Sequence, residues 1–243
     1  VTTVKRSGLS ALVIAVSLLV LVSAACTESG SSPRAAAAVT IPAPAIDEPA
    51  GTNGASETAV LAGGCFWGVQ GVYQHVRGVS QAVSGYAGGN AATANYETVG
   101  TGTTGHAESV RITYDPGQVS FGQLLHVFFA IVVDPTKLDR QGPDVGNQYR
   151  SAIFPQNDTQ KRIADAYIAQ LNQAKVFGAP VVTRTDADSG FFPAEDYHQD
   201  YLNAHPTASY IAINDMPKVD GLNQMFPQLY RAQPVLVHAV NGG

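Results

Sequence analysis

Only two of the 243 residues are cysteine. That is too few for a disulfide framework or for a zinc centre built mainly on thiolates. His-x-x-x-His and Cys-x-x-Cys spacings are absent as well, so no metal site is expected. Basic residues are also sparse. Fourteen Lys and Arg face nineteen Asp and Glu, a formal net charge of −5, and no basic run occurs outside the extreme N-terminus. A nucleic-acid binder neutralises phosphates with clustered cations, so that class is excluded. What the chain does have is a 45% hydrophobic composition, ordinary for a packed globular core. Its length permits one large domain or two small ones.

The first cysteine, Cys26, ends a tripartite N-terminus: Lys5-Arg6, an apolar run over 11–22 broken only by Ser17, then Ser23-Ala24-Ala25-Cys26. This is the pattern of an export signal. The small residues before the cysteine resemble a bacterial lipoprotein cleavage box, although Ser23 stands where an aliphatic residue is usual. The expectation is a signal peptide over 1–25, Cys26 as the lipidated N-terminus, and a protein anchored on the outer face of a bacterial membrane. The alternative is an uncleaved anchor over 9–25. Lys5-Arg6 stays cytoplasmic in either case, so both readings export the remainder. Residues 27–56 are rich in Ser, Gly, Ala and Pro and read as a flexible tether. One domain without a second linker or internal repeat follows over 57–231, and 232–243 form a C-terminal tail.

Within that domain, 58–62 reads as a buried strand, Gly63-Gly64 as a turn, and 65–76 as a helix with Phe66, Val69, Val72, Tyr73 and Val76 on one stripe. Residues 79–86 and 105–114 are strand-like. In the second of these, Glu108, Val110, Ile112 and Tyr114 share a face. Ser120 with Gln123 signals a capping box for a helix through Val132. A loop over 134–146, a strand over 148–154 and a long helix from Asp158 or Thr159 come next. A strand over 180–184, a short helix over 194–202 and a last helix over 221–230 complete the reading. Strands and helices intermix with short connections. The fold class is α+β, a two-layer sandwich in which a central mixed sheet is covered by helices.

Cys65 sits at a helix start, where the dipole and free N–H groups favour a thiolate and lower the thiol pKa. A lone cysteine also serves as a buried space-filler. Its neighbours point to chemistry: Gly63 and Gly64 permit close approach, and Phe66-Trp67 form an aromatic wall suited to an S-methyl group. Glu108 either points into the core, where desolvation keeps it protonated as a general acid, or is solvated at a strand end or paired with Arg111 or Arg150. Tyr96 and Tyr149 are phenolic donors to a substrate oxygen or ordinary packing. Asp144, in Gln141-Gly142-Pro143-Asp144, is a site residue or a turn residue. His198 is a base, a ligand or a structural histidine.

At these residues the chain resembles the A-type peptide methionine sulfoxide reductases. The resemblance covers about 57–231. It is carried by Gly64-Cys65-Phe66-Trp67-Gly68, Gly85-Tyr86-Ala87-Gly88-Gly89, Gly105-His106-Ala107-Glu108, Arg140-Gln141-Gly142 with Asp144, Gln148-Tyr149-Arg150-Ser151-Ala152 and Ala194-Glu195-Asp196-Tyr197-His198-Gln199. It implies Cys65 as nucleophile, Glu108 as acid, and Tyr96 and Tyr149 as sulfoxide-oxygen donors. It further implies Asp144 as a polar neighbour, Phe66-Trp67 as the methyl pocket and His198 as pocket support. The implied activity is reduction of free or protein-bound methionine S-sulfoxide, with Cys65 becoming a sulfenic acid and oxidised proteins being repaired.

No cysteine follows Cys65, whereas many relatives resolve the sulfenic acid with later cysteines. The resemblance therefore implies a monomer with no bound cofactor, recycled by an external thiol, either a thioredoxin-like partner or a low-molecular-weight thiol. Cys26 is the rival resolver: it lies 39 positions upstream, an r.m.s. span of roughly 35 Å for a flexible chain. Lipidation would remove that option. Competing functions are a Cys–His thiol hydrolase using Cys65 with His106 or His198, and a non-catalytic surface-binding lipoprotein.

Overall fold

The computed structural model describes residues 1–3, 39–49, 51 and 54–238. Most of the expected signal peptide, the lipidation site Cys26, the first part of the expected tether and the end of the expected tail lie outside the described residues.

The described elements, in chain order, begin with strand β1 (Glu57–Gly63), helix α1 (Phe66–Gln74), strand β2 (Val79–Ala87) and helix α2 (Tyr96–Gly100). Strand β3 (Ala107–Tyr114), helix α3 (Phe121–Val127), strands β4 (Arg140–Gln141), β5 (Asp144–Val145) and β6 (Ser151–Phe154), and helix α4 (Asp158–Ala174) follow. Strands β7 (Arg184–Thr185) and β8 (Phe191–Pro193) and helices α5 (Tyr201–Ala204) and α6 (Met216–Met225) complete the domain. Six strands form one sheet in the order β7-β6-β1-β3-β2-β8. β6 and β7 run parallel and the other neighbours antiparallel. This mixed sheet flanked by helices, in one domain, is the expected class.

Alternation along the strands sorts their side chains between two faces. Ala59 and Leu61 of β1, Ala82 and Tyr86 of β2, and Val110 and Ile112 of β3 pack with α1, α3 and α4 in the main core. Val60, Ala62, Ala87, Ala107, Ala152 and Phe154 form a smaller cluster on the other face. Glu108 shares parity with Val110, Ile112 and Tyr114, and all four are buried. That parity places the carboxyl on the helix-covered face, where α1 begins.

Residues 39–49, assigned from composition to a flexible tether, are instead a strap packed on the helices. Ile41 is 5% exposed. The Tyr167 hydroxyl donates to Pro42 O at 2.7 Å, and Val39 N–H donates to Ala130 O at 2.8 Å. Asp47 accepts from Gly122 N–H at 2.9 Å and Glu48 from Phe121 N–H at 2.7 Å. Together with the Ser120–Gln123 capping box, these carboxylates satisfy the first N–H groups of α3, which otherwise lack partners. Ser, Gly, Ala and Pro content measures local stiffness, not the surface that one Ile and two acids find across the fold. The expected tail departs similarly. Val237 and His238 donate their N–H groups to the Asp200 carboxylate, and Val235 N–H to Gln74 O.

Other differences are local. The helix expected through Val132 becomes a π-helical turn over Phe128–Val132. Tyr149 lies in a 3-10 turn, Asn147–Tyr149, rather than opening a strand. The loop over 134–146 carries the β4–β5 hairpin. The strand expected over 180–184 is reduced to β7. The helix expected over 194–202 divides into a 3-10 turn, Asp196–His198, and α5, with Asp200 between them at a left-handed φ of 57°. The last helix runs over Met216–Met225 instead of 221–230, entered through a π-helical turn at Ile211–Asp215. Among the described residues, no helix is long and apolar enough to cross a membrane.

Candidate active site

Cys65 is the N-cap of α1 and has no side-chain cap of its own. The chain reaches it from β1 through Gly64, whose φ of +86° is left-handed and whose added Cβ would lie 2.5 Å from Gln141 Cβ. A side chain at Gly64 would therefore strain the turn and push β4 away. The first turn of α1 then presents its free N–H groups. Phe66 N–H, the first of them, donates to Glu108 Oε2 at 3.0 Å, and the Cys65 side chain accepts no capping bond. The thiol and the carboxyl that takes the first N–H thus meet at one helix end.

Both groups are protonated at neutral pH. Burial pushes Glu108 up to about 8, against the pull of the Phe66 N–H and with added repulsion from Asp144 and Asp215. Burial also drives the Cys65 thiol well above its ordinary range, with Glu108, Asp215 and Asp144 adding to the rise. The expectation that the helix start lowers the thiol pKa is therefore overturned. Phe66 N–H is committed to Glu108, and the Trp67 N–H alone does not offset enclosure among three carboxyls.

The remaining sequence-derived residues converge here. Phe66 is fully buried, with its ring centroid 5.0 Å from His198 and 5.9 Å from Tyr86. Trp67 stacks on Tyr201 at 3.9 Å and donates its indole N–H to His198 Nδ1 at 3.2 Å. Burial holds the His198 imidazole below its usual pKa. Accepting at Nδ1, the ring carries its proton on Nε2, 3.9 Å from Glu195. Tyr96 lies over His198 at 4.5 Å. Burial pushes the phenols of Tyr96 and Tyr149 above their ordinary pKa and keeps both protonated. Asp144 lines a small cavity with Cys65, Val132 and Gln141. The ring nitrogens of His106 are occupied by Gly89 N–H and Asn90 O, leaving that imidazole no bond to spare for Cys65. Among the described residues, no group of three or more His, Cys, Asp or Glu is placed to hold a metal ion.

Sequence reasoning missed four residues at this site. Tyr210 donates its hydroxyl to Asp144 and lines the cavity beside Cys65. Asp215, fully buried, accepts from Lys218 Nζ at 3.1 Å, and its Oδ1 would lie 2.1 Å from a Cβ added at Gly68. The pair therefore packs directly against the first turn of α1. Glu195 accepts from the Tyr86 hydroxyl at 2.8 Å and from Tyr96 N–H at 2.9 Å, tying α2 to the sheet. The signal for the C-terminal group was the four-residue recurrence Tyr210, Asn214, Lys218, which stacks side chains on one helical face. Lys218→Met is expected to destabilise the protein by about 3–5 kcal/mol by stranding a buried carboxylate. Urea unfolding measures this, and adding Asp215→Asn should return much of the loss.

Chemically, one thiol, one protonated carboxyl and several phenolic donors meet at one place, the equipment of an oxidoreductase that works through sulfur. The family model described as peptide methionine sulfoxide reductase matches residues 57–229. A relative in Mesorhizobium japonicum, peptide methionine sulfoxide reductase MsrA 2, is 63% identical over 182 residues, 75% of this chain and 93% of that one. Among solved structures, reduced Mxr1 from Saccharomyces cerevisiae aligns with a TM-score of 0.57 at 31% identity, covering 67% of this chain and 91% of that one. Methionine sulfoxide reductase A of Corynebacterium diphtheriae aligns with a TM-score of 0.53 at 30% identity, covering 73% and 88%. The chain belongs to the peptide methionine sulfoxide reductase family. It is an oxidoreductase that reduces methionine sulfoxide, a protein-repair activity, which sets aside the Cys–His hydrolase and the non-catalytic binding protein.

Proposed function

We propose that Cys65 is the nucleophile and Glu108 the general acid in reduction of the S epimer of methionine sulfoxide. The observation that carries this assignment is the shared helix end: the Cys65 thiol stands at the N-cap of α1, and the first N–H of that helix holds Glu108, a carboxyl that burial keeps protonated to about pH 8. A sulfoxide oxygen leaves sulfur only when protonated. Glu108 gives it a proton, the Cys65 sulfur attacks the sulfoxide sulfur, and the thiol proton returns to Glu108. In the resulting adduct the S–O bond and the new S–S bond both break as the hydroxyl passes to the Cys65 sulfur, which is left as sulfenic acid. Methionine departs with two more electrons at sulfur, and the cysteine has lost two. No proton is consumed overall.

Tyr96 and Tyr149 donate to the sulfoxide oxygen, Asp144 with Tyr210 borders the reacting sulfur, and Phe66, Trp67 and His198 enclose the S-methyl group. An external thiol, thioredoxin-like or low-molecular-weight, condenses with the sulfenic acid to a mixed disulfide and water, and a second thiol of the reductant then releases Cys65 and leaves as the disulfide. This chemistry calls for no bound cofactor. The same reading takes the protein as a monomer, exported and lipid-anchored through Cys26 on the outer face of a bacterial membrane. Intact mass of the membrane fraction tests that anchor: an unmodified Cys26 thiol would refute it.

The decisive assay offers resolved epimers of N-acetyl methionine sulfoxide with dithiothreitol. The S epimer should turn over and the R epimer should not, and Cys65→Ser should remove all measurable turnover. Equal rates on the two epimers would overturn the stereochemical assignment, and turnover by Cys65→Ser would overturn the nucleophile.

A further inference from the structure

The small cavity beside Cys65 holds polar groups that the reduction step leaves unused. Asn214 and Lys218 line it together with Cys65, Gln141, Asp144 and Tyr210. Asn214 is 8% exposed, and its amide has one orientation. Its Nδ2 donates at 3.0 Å to Tyr210 O, a carbonyl that can only accept. The other end of the amide, Oδ1, is therefore an acceptor, and it is buried without a partner among the described residues. Lys218, also 8% exposed, is the one cation among the residues lining the cavity. An ammonium has three N–H donors, and among the described residues Lys218 Nζ bonds only to Asp215 Oδ1. The Tyr210 hydroxyl is already committed to Asp144. With a volume of about 10 Å³, the cavity has room for about one oxygen atom. A buried acceptor left without a donor costs free energy, which an occupant of the right chemistry would recover.

We infer that this cavity receives the oxygen of the Cys65 sulfenic acid, whose O–H donates to Asn214 Oδ1 and whose lone pairs accept from Lys218 Nζ. This rests on the reading of Cys65 as the nucleophile and adds two residues to the recycling half of the reaction. A sulfenic hydroxyl joins one donor and one acceptor on a single oxygen. An amide oxygen and an ammonium around a space of that size are its complement. Tyr96, Tyr149 and Glu108 serve the oxygen while it belongs to the substrate. Once it is on Cys65, rotation about the Cβ–Sγ bond carries it out of the methyl pocket and lets methionine leave. No cysteine follows Cys65 in the chain, so the sulfenic acid waits for an external thiol. When that thiol attacks the Cys65 sulfur, the S–S bond forms and the S–O bond breaks. The oxygen departs as water with the proton that the thiol has released. Lys218 steadies the negative charge that builds on it as it leaves.

The test separates the two halves of the reaction. One variant is Asn214→Leu, which keeps the shape of the amide without its acceptor. The other is Lys218→Met with Asp215→Asn, which removes the buried ion pair as a pair. Methionine formed in a single turnover of N-acetyl methionine S-sulfoxide reads the first half. Loss of the sulfenic acid after dithiothreitol is added, trapped at intervals with dimedone and read by intact mass, reads the second. Each variant should recycle about tenfold more slowly, while its single-turnover rate stays within about threefold of the parent. A crystal structure of the native enzyme after one turnover without reductant should place the sulfenic oxygen within hydrogen-bond distance of Asn214 and Lys218. Unchanged recycling in either variant, equal slowing of both halves, or an oxygen turned towards Glu108 and Tyr149 would overturn the inference. A native enzyme that forms methionine without any sulfenic acid on Cys65 would instead overturn the proposed nucleophile on which it rests.

Discussion

Glu108→Gln is expected to slow the reductive step about 10²–10⁴-fold and, at the same time, to make the protein more stable at pH 7.5. Glutamine keeps an oxygen for the Phe66 N–H bond and matches the shape of the protonated acid, but it has no proton to give. Single-turnover methionine formation, read without recycling, isolates this step; a rate within threefold of the parent would remove Glu108 as the acid. In the native enzyme the rate should be level below about pH 8 and fall above it as Glu108 ionises. The stability effect has the same origin. The carboxyl titrates near 4.5 when unfolded and near 8 in the fold. Between those values the native state holds a proton that the unfolded chain has released, so stability declines as pH rises through the interval. The decline costs roughly 1.4 kcal/mol per pH unit at most. Glutamine removes that term, and its Tm at pH 7.5 should exceed the parent's by several degrees, with the difference vanishing below about pH 4.5.

The second large effect concerns the strap. A protein beginning at residue 57, where the family match begins, lacks the Ile41 side chain, the Pro42 acceptor for Tyr167 and the Asp47 and Glu48 carboxylates on α3. Burying the isoleucine is worth about 1.5–3 kcal/mol, and each capping group about 1 kcal/mol. Residues 57–243 should therefore unfold at markedly lower urea than 39–243, by about 3–5 kcal/mol when both are extrapolated to water. Activity at 37 °C should fall with it. α3 leads into the π-helical turn whose Val132 packs against Gly63, two residues before Cys65. Coincident urea midpoints would show that the strap is an ornament. Asp47→Ala alone should cost about 1 kcal/mol.

Legibility in the sequence followed the range of the signal. The strand, glycine turn and helix around Cys65 were readable because each depends on a few consecutive residues. Glu108 was placed on the correct face because strand parity is local. The Ser120–Gln123 capping box and α4 were readable for the same reason. The strap was not: the Tyr167 hydroxyl and Pro42 O are 125 positions apart, and no periodicity links them. The C-terminal helix was displaced because Pro217 lies at its first turn, where proline is tolerated, while a π-helical turn carried the chain into it.

Residue identity and local spacing determined that this protein has one available thiol after its N-terminal segment, that the thiol begins a helix beside two aromatic rings, and that an acid shares the buried face of a nearby strand. Tertiary structure decided the protonation of both groups, since desolvation depends on what encloses a side chain rather than on its neighbours in sequence. It also brought in Tyr210, Asp215 and Lys218 from a distant helix and packed residues 39–49 of the expected tether onto the core. Burial and long-range pairing are properties of the assembled fold, and a pattern of residues along a line carries them only after the line has closed on itself.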